Sequence, residues 1–220
     1  MPLGSYLTHF LSTAKENMYS KSPSDLTVRR ACIQDVPVIL DFIRNNGRQR
    51  QFYPSYTERD ITGTGLLKDL TIEDIFLAFE GPRIVGTLTA WDQTGFRQWY
   101  LNDQEAVLDP LDKYGNNNNW PQPDPKTPFN ERILALICIK DDRPIVFTKL
   151  LRAVKEVYND PASPSYLWLG LHENDPLKEA IKHEKYFRMT SHIFLVFWQE
   201  DEMDANRLKG GVPYLELGSL

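Results

Sequence analysis

At 220 residues the chain has room for one large domain or two very small ones. Its composition, 41% hydrophobic and 25% charged, is that of an ordinary soluble globular protein. The net charge of −5 excludes broad binding along a nucleic-acid backbone, which needs clustered Lys and Arg, but leaves room for a local basic pocket.

Two cysteines, Cys32 and Cys138, lie in apolar stretches and read as buried thiols of a reducing compartment. No CxxC pair or Cys/His cluster has zinc spacing, and His9, His172, His183 and His192 are scattered, so no metal is expected. The first twenty residues lack a basic segment followed by a long apolar core. No run reaches the ~18 apolar residues of a membrane span. A cytoplasmic protein is the expectation, with neither membrane nor nucleic acid as partner.

Residues 1–25 carry Tyr6, Leu7, Phe10 and Leu11 at a spacing that predicts a short appended helix, followed by a turn-rich linker at 20–25. Residues 26–31 predict a strand. Residues 34–46 predict a helix with Val36, Ile39, Leu40 and Ile43 on one stripe, Pro37 in its first turn and Gly47 ending it. The stretch 48–64 is polar and aromatic. It reads as a loop projecting Phe52, Tyr53 and Tyr56, either as packing or as the wall of an acceptor pocket. A short helix can close at 64–70. Residues 75–80 and 83–91 form a hairpin about Gly81-Pro82, with Gly86 marking a bulge or a close backbone approach.

The insert 92–132, with its Asn run and five prolines, is long for a connection and suits a lid, an oligomer contact or a disordered insert. Residues 133–140 are apolar throughout, as a strand covered on both faces is. Residues 145–158 then show a helical stripe. A strand at 166–171, a helix at 175–185 and a last core strand at 192–198 follow. The extension 201–220 starts acidic and carries VPYLEL at 212–217, an edge strand by its proline. The order of elements predicts an α/β (α+β) fold with a central mixed, mostly antiparallel sheet flanked by helices on both faces. The main domain spans 26–200. Aromatics in the insert and a terminal edge strand suit a homodimer.

Several short motifs, taken in order, resemble the GNAT acyltransferase superfamily over residues 26–198. The opening LTVRRACIQDVPVILDFI is similar to its first strand and helix, with Asp35 starting the helix. FEGPRIVGTLTAW is similar to its second and third strands. LWLGLHENDPLKEAIKHEKYF is similar to its fifth strand and following helix, with Asn174 after the strand and Phe187 after the helix.

The resemblance implies an N-acetyltransferase that uses acetyl-CoA as co-substrate and acetylates a small-molecule or peptide amine by direct attack. The alternative is a non-catalytic GNAT-like domain that binds a ligand or a partner protein. The pantetheine would lie against the backbone at Ile137, Cys138 and Ile139. The phosphates would meet Arg143 and the amides of Val146, Phe147 and Thr148, with Asn174 close by. The family's glycines are missing from the turn KDDRPIVFTK, which is about two residues short and carries Asp141 and Asp142. That turn reads equally as a simple helix start, with Asp142 as cap and Pro144 at the first position. The family's proton-donating tyrosine is replaced by Lys182. His172 and Glu173, just past the strand, are acid–base candidates.

Overall fold

The computed structural model describes residues 1–13, 25–100, 128, 130–160, 165–184, 186–208 and 210–220. The insert at 92–132 therefore lies largely outside the described residues, as does the linker preceding Asp25.

Seven strands form one sheet: β1 (Pro2–Ser12), β2 (Leu26–Arg30), β3 (Ile75–Glu80), β4 (Arg83–Trp91), β5 (Glu131–Ile139), β6 (Tyr166–His172) and β7 (Tyr186–Phe194). Their order across the sheet is β2-β3-β4-β5-β6-β1-β7. Every pairing is antiparallel except that of β5 with β6. Among the described residues the α-helices are α1 (Val36–Gly47), α2 (Glu58–Ile61), α3 (Pro144–Tyr158) and α4 (Glu202–Arg207). One apolar cluster gathers α1, α2 and residues such as Leu77, Trp91 and Leu136; another gathers α3 with Phe76, Leu88 and Leu134. These are the two covered faces that the alternation of the strands requires. The sheet is mixed and mostly antiparallel, with helices on both faces, as expected.

The first correction is at the amino-terminal end. Residues 2–12 form a strand, not a helix, and it lies inside the sheet between β6 and β7. Tyr6, Leu7, His9, Leu11 and Ser12 are all buried. A strand covered on both faces loses its alternation, so its apolar spacing imitates one helical turn. Gly170 on β6 shows how closely it is fitted: a Cβ there would stand 1.8 Å from the Tyr6 hydroxyl.

Other elements shift less. The predicted helix at 175–185 is a 3-10 segment, Pro176–Ala180. The last strand runs Tyr186–Phe194 rather than 192–198, and the short helix of the loop falls at Glu58–Ile61 rather than 64–70. The 212–217 segment is no edge strand; its one bridge joins Pro213 to Gln51. Cys138 is buried, with burial pushing its thiol up to about 12, but Cys32 is exposed and its sulfur lies 3.2 Å from an Asp35 oxygen. Gly81 takes the positive φ of 58° that the hairpin turn needs, and Gly86 admits the Val146 side chain to within 2.7 Å of where a Cβ would be.

Glu131 opens β5 in a buried position, and its carboxyl is pushed up to about 8, chiefly by desolvation. The unfolded chain therefore ionises this group first. Its contribution is most favourable below about pH 4.5, declines as pH rises towards about 8 and is level above that. Glu131→Gln is expected to remove this slope. Urea unfolding at pH 5 and pH 9 should show the variant gaining on the parent at the higher pH.

Candidate functional site

The parallel pair β5–β6 is hydrogen-bonded over three positions only, Glu131↔Tyr166, Arg132↔Leu167 and Ile133↔Trp168. Beyond them the strands diverge. β5 carries a bulge where the pairing with β4 shifts between Thr87 and Thr89, and Leu136 there has φ of 50°. A positive φ at a leucine is uncommon and marks a backbone held by its surroundings. The bulge frees two consecutive amides from the ladder. Leu136 N–H donates to Glu216 Oε2 at 3.0 Å, and Ile137 N–H donates to Tyr214 Oη at 3.2 Å.

Tyr214 and Glu216 belong to the final segment, 212–220, which occupies the opening. Tyr214 Oη donates to Glu216 Oε2 (2.9 Å), and so does Tyr56 Oη (2.7 Å). Burial pushes the Glu216 carboxyl upward, while the tyrosine hydroxyls and the Leu136 amide oppose it. Further bonds pin the segment along its length. Tyr6 Oη donates to the Leu215 carbonyl (2.9 Å), Gln93 Nε2 to that of Gly218 (2.8 Å), and Tyr214 N–H to that of Gln51 (2.8 Å). The Tyr214 ring lies 4.5 Å from that of Tyr53. Tyrosine and glutamate two residues apart on extended chain face the same side, so one tail delivers both groups to one place.

The mouth of the opening is bridged as well. Arg50, buried in the loop after α1, binds Asp142 through Nη2 at 2.7 Å and Nε at 3.2 Å, and Asp175 through Nη2 at 3.0 Å and through Nη1. Asp142 follows β5 and Asp175 follows β6, so one guanidinium ties the two diverging ends together. Asp141 and Asp142 both take left-handed backbone, φ 56° and 47°. Aspartate tolerates that region better than most side chains, so these two residues make the turn that glycines would otherwise make.

The sequence-expected site residues fall around this opening. Val146 and Phe147 are fully buried at the start of α3, and their N–H groups donate to the Arg143 carbonyl at 3.1 and 3.4 Å. Thr148 Oγ1 donates to the Pro144 carbonyl. Arg143 is salt-bridged to Glu80 at 3.1 Å on the surface. Ile137, Cys138 and Ile139 are buried in β5. Asn174 N–H donates to His172 Nδ1, and His172 Nε2 lies 2.9 Å from the Leu3 carbonyl. A proton on Nε2, leaving Nδ1 as acceptor, satisfies both contacts. Glu173 accepts from the Ser5 amide at 2.9 Å, which lowers its pKa. Lys182 pairs with Glu179 at 2.7 Å in solvent. His172 and Glu173 are thus tied to β1, and Lys182 stands apart from them on the surface.

These residues do not fit acetyl-CoA in this conformation. The two β5 amides are held by the tail, the Val146 and Phe147 amides of α3 are bonded to the Arg143 carbonyl, and Phe147 packs in one cluster with Leu177 and Ile181. Sequence reasoning placed Tyr56 in a loop that could wall a pocket but missed Arg50, Tyr214 and Glu216. The buried Tyr-x-Glu of the tail was the only local signal, and its proline suggested an edge. Among the described residues, no group of three or more His, Cys, Asp or Glu is arranged to hold a metal ion, and no helix is long and apolar enough to cross a membrane.

The sheet, its splayed parallel pair and the long helix after β5 define a GNAT-like fold. Among solved structures the chain is similar to the crystal structure of a GCN5-related N-acetyltransferase from Sphaerobacter thermophilus, with 15% identity and a TM-score of 0.50. The match covers 90% of this chain and 54% of that one, so the chain spans about half the length of the structure it matches. At this identity the likeness concerns the fold. No family model matches the chain, and no curated protein matches its sequence.

Proposed function

We propose that this is a non-catalytic GNAT-like domain that binds a ligand or a partner protein, its acyl-CoA opening being filled by its own chain. The observation that supports this most directly is the pair of β5 amides bonded to Glu216 and Tyr214. The Arg50 bridge across the mouth and the buried Phe147 agree with it.

A second reading is favoured by the same bulge. Two consecutive amides freed from the ladder are donors of the kind acyl transfer uses to hold an oxyanion, although here each is bonded to a different oxygen, Glu216 Oε2 and Tyr214 Oη. On this reading the chain is an acyl-CoA-dependent N-acetyltransferase acting on an amine, and the tail and Arg50 leave before acetyl-CoA enters. Arg143, Val146, Phe147, Thr148 and Asn174 then hold the co-substrate. His172, Glu173 and Lys182 are the acid–base candidates.

Acetyl-CoA titration followed by thermal shift separates the two, because a ligand that prefers the native state raises the melting temperature. No shift at millimolar acetyl-CoA, and no thiol release with a panel of amines, is the expected result. A saturable shift with amine-dependent thiol release would replace the first reading by the second.

A further inference from the structure

A cavity of about 260 Å³ opens between α1 and the loop that follows it. Leu40 and Ile43 of α1 and Phe52 of the loop line its apolar side; Arg44, Arg48 and Ser55 supply its polar groups. The α1 stripe places residues 40, 43 and 44 on one helical face. Gly47 lets the loop fold back closely, since a Cβ there would meet the Tyr53 ring at 2.5 Å.

The charge of this cavity is unlike that of the chain. No acidic residue lines it, although the protein carries a net −5. Arg50 also reaches it, but its guanidinium is neutralised by two aspartates. Arg44 and Arg48 are exposed, and neither has an ion pair or side-chain hydrogen bond among the described residues. Both stand at the carboxy-terminal end of α1, where the helix dipole tolerates cations. The dipole does not explain why both line a cavity with an apolar wall. Phe52 adds an independent observation. It holds φ of 61° while leaving 43% of its surface exposed at the rim. A bulky non-glycine residue in that region is a backbone outlier, and such outliers gather at binding sites.

We propose that this pocket binds a small molecule carrying an oxyanion, a phosphate or a carboxylate, on an apolar body. The two guanidiniums take the oxyanion, for which their planar N–H forks are suited. Phe52, Leu40 and Ile43 take the body. This gives a place and a chemistry to the ligand-binding reading above, on which it builds. The cavity adjoins the β5–β6 opening through Arg50, Tyr53 and Tyr56, but Arg44 and Arg48 take no part in that opening, so the arginine variants below test the pocket separately from the acetyl-CoA result.

The test uses phenyl phosphate, benzoate and inorganic phosphate as probes, titrated by calorimetry into the full chain at low salt. Phenyl phosphate or benzoate is expected to bind more tightly than inorganic phosphate, and whichever binds better names the oxyanion. Arg44→Gln/Arg48→Gln is expected to weaken that binding by about tenfold or more. Phe52→Gly relieves the backbone strain, so it should raise the melting temperature while weakening only the aromatic probes. Arg207→Gln, on exposed α4, serves as the charge control and should change nothing. The proposal is overturned if none of the probes binds at millimolar concentration, or if binding survives the double arginine variant with its melting temperature unchanged.

Discussion

Arg50→Met is expected to destabilise the protein by about 3–5 kcal/mol, the usual cost of leaving buried charge without its partner. The Arg50 side chain is 8% exposed and Asp175 only 2%, so water cannot replace the lost guanidinium. Asp142, at 33%, is better solvated and contributes less. Asp175 also accepts the Leu177 amide at 2.8 Å, and that one bond would have to hold its charge. Urea unfolding of the variant measures the effect. Adding Asp142→Asn and Asp175→Asn should recover part of it, because amides remove the charge while keeping the cap. Arg143→Met, which breaks an exposed pair with Glu80, should leave the midpoint where it was. Equal midpoints for Arg50→Met and the parent would mean that the bridge contributes nothing to closure.

Tyr214→Ala is the second large effect, at about 3–5 kcal/mol for removing a buried aromatic ring. Tyr214 is 5% exposed and packs in the same cluster as Leu134, Ile137 and Phe147. The substitution also strands the Ile137 amide and removes one of the donors to Glu216. Tyr214→Phe isolates the hydroxyl and should cost about 1–3 kcal/mol. Amide exchange gives the local readout. In Tyr214→Ala the Leu136 and Ile137 amides should exchange faster than those at the β3–β4 hairpin, because the tail would open without the sheet unfolding. Unchanged protection at both amides would show that the tail's remaining bonds hold it in place without the Tyr214 side chain.

Much of the sheet could be read from the chain. The hairpin about Gly81, the all-apolar β5 and the stripe of α3 rest on local pattern, and each lies within a residue or two of its expected place. What escaped was long-range. Nothing near Tyr6 says that residues 166–172 will flank it on one side and 186–194 on the other. Nothing near Arg50 says that two aspartates, 92 and 125 residues further along, will converge on it. Asp141 and Asp142 looked like negative charge misplaced in a phosphate loop. They are the left-handed turn itself, with one of them already neutralised. The tail was misjudged because proline usually marks an edge, whereas here Pro213 precedes the two residues that enter the interior.

The strand Pro2–Ser12 has a consequence for how the molecule comes into being. On a ribosome, Ser12 waits for Tyr166 before it can pair, an interval on the order of ten seconds at ordinary elongation rates. Through that interval an apolar segment with both edges open is held in a nascent chain, and β7 has nowhere to dock until it is placed. Refolding from urea should accordingly be slow for a chain of this size, since closing so distant a pair precedes the docking of β7. A chaperone that shields the first dozen residues would then raise the yield of native protein more than one acting later in the chain.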